Sequence, residues 1–546
     1  MKNKVENYFP EPTDIDKLIE KLNVEGRVSP EFKKFLVYTM ERQAYGPDWT
    51  DEFVFFSLSS YFILKDKYIK VSRMYKLPPK DFLKEEALTD LKFLPGTTDI
   101  VLELLKIKTE NCKPHSKICV LVIDEAGLTS ELNYWEKYGN VGFEDDGKTK
   151  GNLPAHFVTT IWVQGLDIKW TIPFAYYFTH KSCPAAILKE CLFDAISKLG
   201  GIGIDVIGVI TKMRINFHEL SQILNISSMN QTFKVENKNV IFLFDVRQLM
   251  NITRNNMIKY RFKFEEMQTS WEHVKDFFIK ESQSERKSKL TKAHVSPDKT
   301  ERSCSKFSIE LLSNNVATEM MSYISSGKLP ESATGTAECI DLFDKIFNIM
   351  NSSTETSTNE YTSAYKGSKH QVKFLQKIIH FFENLKVYDK SDRDCTDQVK
   401  FINAWLISVK GMSKLREVLN QRKHPYLLTN NINCELLESF MTLLRIRIFS
   451  FRDPTPCRFL DLFGSAFASS YFKEWPIDDS NDSEFDIEDY AKKVYKRIPS
   501  IIHDLTGETK WNSSFFSKMK YNAPYFNDFM DKWLEICDFV DLFDDF

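Results

Sequence analysis

Between residues 117 and 260 the apolar pattern changes period several times, in an order that few folds can accommodate. "KICVLVID" (117–124) is an unbroken apolar run that stops at two adjacent acids, Asp124 and Glu125. "HFVTTIWVQGL" and "KWTIPFAYYFT" are β-branched and aromatic runs of strand length. "SCPAAILKECLFDAISKLGGIG" then reads as a helix with a proline near its start and a Gly-Gly stop. Strand "IDVIGVIT", helix "NFHELSQILNI", strand "NVIFLFDV" and helix "RQLMNITRNNMIKY" complete the series.

Three strands followed by helix, strand, helix, strand and helix is the element order of the ribonuclease H-like fold. With 42% hydrophobic and 14% aromatic residues over 546 positions, the chain can bury a large core divided among three or four domains. Upstream, "SPEFKKFLVYTMERQ" places Phe32, Phe35, Leu36 and Met40 at helical spacing behind a Ser-Pro start, and short helices separated by proline breaks follow. Downstream, residues 281–306 are polar and basic and read as a solvated linker or loop. Helical periodicity then returns as an all-helical body, and the chain finishes with aromatic helices flanked by the acidic runs "DDSNDSEFDIEDY" and "DLFDDF". Trp135 and Trp162 read as core.

Composition narrows the partners. No stretch of about 20 apolar residues exists and the start lacks a secretory apolar core, so no membrane partner and no secretion are expected. Ten cysteines fall singly, with neither CxxC nor HxxxH, which predicts buried free thiols rather than zinc or disulfides. A net charge of −3 gives no global attraction to nucleic acid, so DNA contact requires a local basic patch.

Several ordered motifs resemble one family. "ICVLVIDEAGLTSELNYWEKYGNVGFEDDG" resembles the opening strands of the P-element transposases and their THAP-type relatives. "VIFLFDVRQLMNITRNN" looks like that family's Phe-Asp strand with its following helix. "YLLTNNINCELLESFM" is similar to its acid-bearing helix, and "RDPTPCRF" to its Asn-Pro-Thr turn. "YFILKDKYIKVSRMYKLPPKDFL" resembles its helix-turn-helix region. The amino-terminal THAP zinc finger is absent, since no C2CH spacing occurs.

The resemblance implies a ribonuclease H-like core interrupted by a helical insertion and preceded by a small helix-turn-helix-like module. The expected divisions are a polar segment at 1–28, the DNA-binding module at 29–105 and the first part of the core at 106–265. The insertion, of GTP-binding type, occupies 266–425, the second part of the core 426–475, and an acidic helical region 476–546. It also implies Mg²⁺ or Mn²⁺ chemistry by three carboxylates, GTP as a further cofactor, double-stranded DNA and self-association as partners, and a nuclear location. Two divalent ions held close together need oxygen ligands converging from separate elements.

Mapped onto this chain, Asp124 takes the first acid position and Glu438 the third. The second falls after "IDVIGVIT", where Thr211 is followed by Lys212, a cation in place of a metal-binding acid. Lys212 is expected to pair with Asp124 or Glu438 in place of metal. The family's histidine after the Phe-Asp strand is Gln248 here. These departures favour a catalytically degenerate or domesticated DNA-binding protein. Two alternatives stand beside it: an active transposase in which Asp205 or Asp245 replaces the missing ligand, and an interaction scaffold without DNA affinity. Lys67, Lys70 and Arg73, spaced by three on one helix face, are the expected phosphate contacts. Read singly, Asp124–Glu125 is a polar strand end and Glu438 a solvated helix position; the surrounding family order is what makes them site residues.

Overall fold

The computed structural model describes residues 93–471, apart from 110–111, 113, 136–137, 167–169, 284–287, 300 and 447–452, together with a few positions between 68 and 82. Helix α1 (Asp99–Thr109) leads into strands β1 (Ile118–Gly127), β2 (Asn133–Trp135), β3 (Gly139–Val141), β4 (Phe143–Asp145), β5 (Lys150–Pro154), β6 (Phe157–Gly165) and β7 (Thr171–Thr179). Helix α2 (Ala185–Gly201), β8 (Asp205–Thr211), α3 (Ile215–Ile223), β9 (Thr232–Val235), β10 (Lys238–Phe244) and α4 (Val246–Lys259) follow.

Eight strands form one sheet in the order β5-β4-β7-β6-β1-β8-β10-β9. β1 is central, antiparallel to β6 and parallel to β8. Both of its faces are covered, which is why its sequence is continuously apolar rather than alternating. β1, β8 and β10 run parallel, so their carboxyl ends reach the same side of the sheet. Ile123 and Phe244 both lie opposite Thr211 in the register. The next residue on each strand is therefore Asp124, Lys212 or Asp245, and all three stand at one level.

Beyond α4 the chain forms β11 (Arg261–Phe264), β12 (Met267–Gln268), α5 (Trp271–Ser282), α6 (Lys292–Val295), α7 (Ser305–Leu311), α8 (Asn314–Ser325) and α9 (Thr334–Met350). It continues through α10 (Lys369–Asn384), β13 (Lys386–Tyr388), α11 (Phe401–Gln421), α12 (Glu435–Ile446) and α13 (Pro456–Tyr471). The body between the two parts of the core is not all helical: β12-β11-β13 form a small sheet. Phe262 and Phe264 on β11 alternate with exposed Lys263, and they bury against Phe401 and Phe381. Those strands are only two to four residues long, too short for a period of two to stand out beside helical neighbours. Phe343, Phe382 and Trp405 fill the centre of this body, each buried aromatic contributing about 1.5–3 kcal/mol.

The expected linker at 281–306 is also corrected over its described residues. Leu290, His294 and Val295 are buried, and the carbonyls of Glu301 and Arg302 accept from the buried guanidinium of Arg254. A few apolar anchors spaced among lysines fix the segment although its average composition is polar.

Helix α11 closes onto the sheet at Gly411, where a Cβ would stand 3.1 Å from the Phe242 carbonyl oxygen. Ser408, one turn earlier, accepts from the Phe244 amide at 2.9 Å and donates to the Phe244 carbonyl at 3.0 Å. Phe440 of α12 packs on Trp162, and Phe459 and Phe463 of α13 pack on Tyr176. Trp162 is thus core, while Trp135 on the short β2 is only half-buried. The nine described cysteines are free thiols, five buried and four half-buried. Most of the 29–105 module, including Lys67, Lys70 and Arg73, lies outside the described residues, as does the region after 471.

Candidate functional site

The site is built at the carboxyl ends of the three parallel strands and completed by a helix nearly two hundred residues further on. The joint is Asp245, which is fully buried. Its Oδ2 accepts from the Gln248 amide at 2.9 Å as the cap of α4, and its Oδ1 accepts from the Cys434 amide at 2.9 Å. Cys434 precedes α12, so one carboxylate ties the starts of two helices together. Glutamine and asparagine reinforce the return: Gln164 Nε2 donates to the Asn431 carbonyl at 2.8 Å, and Asn431 Nδ2 to the Leu166 carbonyl at 3.3 Å.

Helix α12, so placed, presents Glu438 to the strand ends. Lys212 Nζ stands 2.8 Å from Asp124 Oδ2 and 3.0 Å from Glu438 Oε1. Arg214 Nη2 lies 3.6 Å from Asp124 Oδ1, and Arg247 Nε 3.7 Å from Glu438 Oε2. Arg247 also reaches Glu435 at 3.4 Å. All four carboxylate oxygens of Asp124 and Glu438 thus face a protein cation. Arg214 and Arg247 escaped sequence reasoning, because an arginine three residues beyond a strand or second in a helix carries no signal until its neighbours are known.

Burial alone would lower the Lys212 pKa, but Asp124 and Glu438 outweigh it and hold the ammonium above the ordinary lysine range. Burial and the nearby charge of Glu438 push the Asp245 carboxyl up to about 6, against the opposing pull of the Cys434 amide, Lys212 and the Gln248 amide.

Adjacent acids on a strand point to opposite faces, and Asp124 and Glu125 separate accordingly. Glu125 is 2% exposed and plays a different part. It accepts from Ser182 Oγ at 2.7 Å and from the Cys183 amide at 2.6 Å, with Asn216 Nδ2 at 3.4 Å. It anchors the loop that enters α2 to the start of α3.

Asp205 lies at the far end of β8, opposite Ile118, and pairs there with Lys238 and Arg422. It cannot replace a ligand beside Asp124, since strand direction holds the two acids at opposite ends of their strands. Asp245 is close enough, yet both its oxygens already serve backbone amides.

A two-ion centre does not fit these residues. Mg²⁺ needs carboxylate oxygens about 2.0–2.1 Å away in near-octahedral array, and the space shared by Asp124 and Glu438 holds the Lys212 ammonium. Among the described residues, no group of three or more His, Cys, Asp or Glu side chains could hold a metal ion.

Comparison with known proteins agrees with this architecture. A family model described as TNP-like, RNase H N-terminal domain, matches residues 93–225, and one described as TNP-like, GTP-binding insertion domain, matches 248–366. The chain is 22% identical over 381 residues to the transposable element P transposase of Drosophila melanogaster, covering 68% of this chain and 48% of the relative. It is likewise 22% identical over 435 residues to the human DNA transposase THAP9, covering 75% and 47%. The chain spans about half the length of these curated relatives. The fold also resembles a chain of the Drosophila P element transposase strand transfer complex, with a TM-score of 0.68 at 18% identity, over 84% of this chain and 98% of the other.

Fold and motifs together define a ribonuclease H-like protein of transposase type with an insertion after its third parallel strand. The two TNP-like matches and the two transposase relatives support a P-element/THAP-type transposase family for this chain.

Proposed function

We propose that this chain binds double-stranded DNA in the nucleus as a transposase-family protein whose ribonuclease H-like centre does not cleave. The observation that carries the loss of cleavage is the Lys212 ammonium between Asp124 and Glu438. Hydrolysis of a phosphodiester by this class of centre needs a metal-bound oxygen as nucleophile and a cation on the leaving oxygen. A lysine held protonated by two carboxylates supplies no nucleophile and blocks the ions that would. DNA binding is supported by the relatives' names as transposases and by the likeness to a strand transfer complex. Resemblance to the family also supports the division into a DNA-facing module at 29–105, with Lys67, Lys70 and Arg73 on phosphates, ahead of the split core.

GTP enters through the insertion-domain match alone. A turn of three amides at Lys366, Gly367 and Ser368 has the form of a phosphate cradle, but Gln371 Oε1 accepts from all three at 3.0, 3.1 and 3.3 Å. That cradle is closed by the protein itself.

The test is a nicking assay on supercoiled DNA with Mn²⁺ or Mg²⁺, run beside duplex binding over a salt titration. The reading expects binding without nicks. Nicking that disappears in Asp124→Ala establishes the active enzyme instead, and absence of any DNA affinity establishes the scaffold.

A further inference from the structure

Helix α10 carries an exposed basic stripe that none of the family-model matches includes, since they end at residue 366. Its apolar side is fixed: Phe374, Leu375, Ile378, Phe381 and Phe382 are buried, with Phe382 stacked on Trp405 and Phe381 against Phe264. Its other side is open, and Lys369, Lys373, Lys377 and His380 are all exposed. At about 100° per residue these four lie within one narrow arc of the helix. No acid interrupts the exposed face before Glu383.

The neighbouring charges behave differently. Lys366 pairs with Glu355 at 3.4 Å, His370 with Glu360 at 2.6 Å, and Lys410 with Glu383 at 3.0 Å. Among the described residues Lys369, Lys373 and Lys377 are in no ion pair. Lys369 also stands in the first turn of the helix, where no acid is present and where the helix dipole opposes a cation. Folding of α10 gains nothing from these charges, and Lys369 works against it.

We infer that the Lys369–Lys373–Lys377 stripe of α10 is a contact surface for the sugar-phosphate backbone of duplex DNA. The inference rests on the DNA-binding reading above and adds to it a surface within the described body. Successive lysines at i, i+4 and i+8 are separated by about 6 Å along the axis, a spacing comparable to that of neighbouring phosphates on a strand. Point charges on flexible stems suit phosphates without reading bases, so the contact positions DNA and leaves sequence choice to other elements. The rigid hydrophobic anchoring keeps the three ammonium groups in register. A chain of net charge −3 needs such a local surface to approach a polyanion.

The test uses the full chain and a labelled duplex, with affinity measured by fluorescence anisotropy between about 50 and 200 mM salt. Lys369→Gln/Lys373→Gln/Lys377→Gln is expected to bind at least about tenfold more weakly at low salt, and its plot of log affinity against log salt should be shallower by about two to three. Glutamine keeps helix propensity, so the circular dichroism melt of the variant should match the parent. The corresponding triple arginine variant should bind like the parent. A parent that binds while the glutamine variant matches it in affinity and slope overturns the surface alone. A parent that binds no duplex overturns the DNA-binding reading and this surface with it.

Discussion

Lys212 Nζ meets Asp124 Oδ2 at 2.8 Å, at the level where β8 ends and its parallel pairing with β1 stops. That contact converts a place suited to dications into one filled by the chain's own charge. Two bound divalent ions would bring four positive charges to the acids gathered there; Lys212 and Arg214 from the connection between β8 and α3, and Arg247 from α4, bring three. At about 4 Å and an effective dielectric near 20, each unit pair interacts by roughly 4 kcal/mol, so neither an ion beside the ammonium nor an acid left without it is tolerated.

Metal response follows directly. Wild-type protein should show no rise in melting temperature over a Mn²⁺ titration, because the oxygens that an ion needs are already engaged. Lys212→Asp removes the ammonium and adds a carboxylate, and should melt a few degrees higher in saturating Mn²⁺, as expected when a ligand binds only the native state. Adding Asp124→Ala to that variant should abolish the shift. A Mn²⁺ shift of wild type that Asp124→Ala removes would contradict the ammonium-filled site.

Lys212→Met tests the same contact as a structural brace. The variant leaves buried Asp124 facing Glu438 with only the more distant arginines, and breaking a buried pair on one side costs about 3–5 kcal/mol. Urea unfolding should report that loss at pH 7. Lys212→Arg, which keeps the charge with a bulkier head, should lose less. Equal stabilities for wild type and Lys212→Met would show that the ion cluster does not hold α12 to the sheet.

The element order of the core was legible because it leaves local marks, an apolar run ending in acids and a Gly-Gly helix stop, while Asp124, Lys212 and Glu438 were picked out by the family resemblance around them. Arg214, Arg247 and the double duty of Asp245 left none, since their meaning depends on register and on a helix that returns after the insertion. The small β12-β11-β13 sheet was invisible for a related reason: pairing between residues 261–263 and 386–388 is set by tertiary contact. Residues 288–306 show the opposite error, where an average over lysines and serines hid three buried anchors.

Glu125 should prove structural where Asp124 is a site residue. Removing its carboxylate by Glu125→Ala orphans the buried Cys183 amide, a lost buried partner costing about 1–3 kcal/mol, while the exposed Ser182 hydroxyl can turn to water. Denaturant unfolding should show that loss. Nevertheless, in the Lys212→Asp background the Mn²⁺ shift should survive Glu125→Ala, provided the melt is still cooperative. Loss of the shift would place Glu125 among the ion's ligands.

Gly411 offers a test of the insertion's return to the core. A methyl group there would press on the Phe242 carbonyl and the Leu243 side chain, both at 3.1 Å, so α11 would have to lift from β10. Gly411→Ala gains helix propensity of about 1 kcal/mol, and overpacking costs about 1–3 kcal/mol, so the net change should be destabilising. Gly411→Val should be worse than Gly411→Ala. A stabilised alanine variant would mean that α11 does not approach the sheet this closely.

Asp245 carries the pH dependence. Its native carboxyl titrates near 6, raised by burial and by Glu438, whereas an unfolded aspartate titrates near 3.9. A native pKa above the unfolded one means that the native state holds the proton more tightly. The group therefore contributes stability below about pH 4, and that contribution is lost as pH rises through about 6. Asp245→Asn removes the titration and turns one acceptor of a backbone amide into a donor, which costs about 1–3 kcal/mol at any pH. The excess stability of wild type over Asp245→Asn should consequently be larger at pH 4.5 than at pH 7.5. Because other titrating groups are common to both proteins, most of their contribution cancels in the difference. Urea titrations of the two proteins at both pH values give that difference; if it is the same at each, or grows with pH, the buried carboxyl is not titrating in this window and the Asp245 joint is ionised throughout.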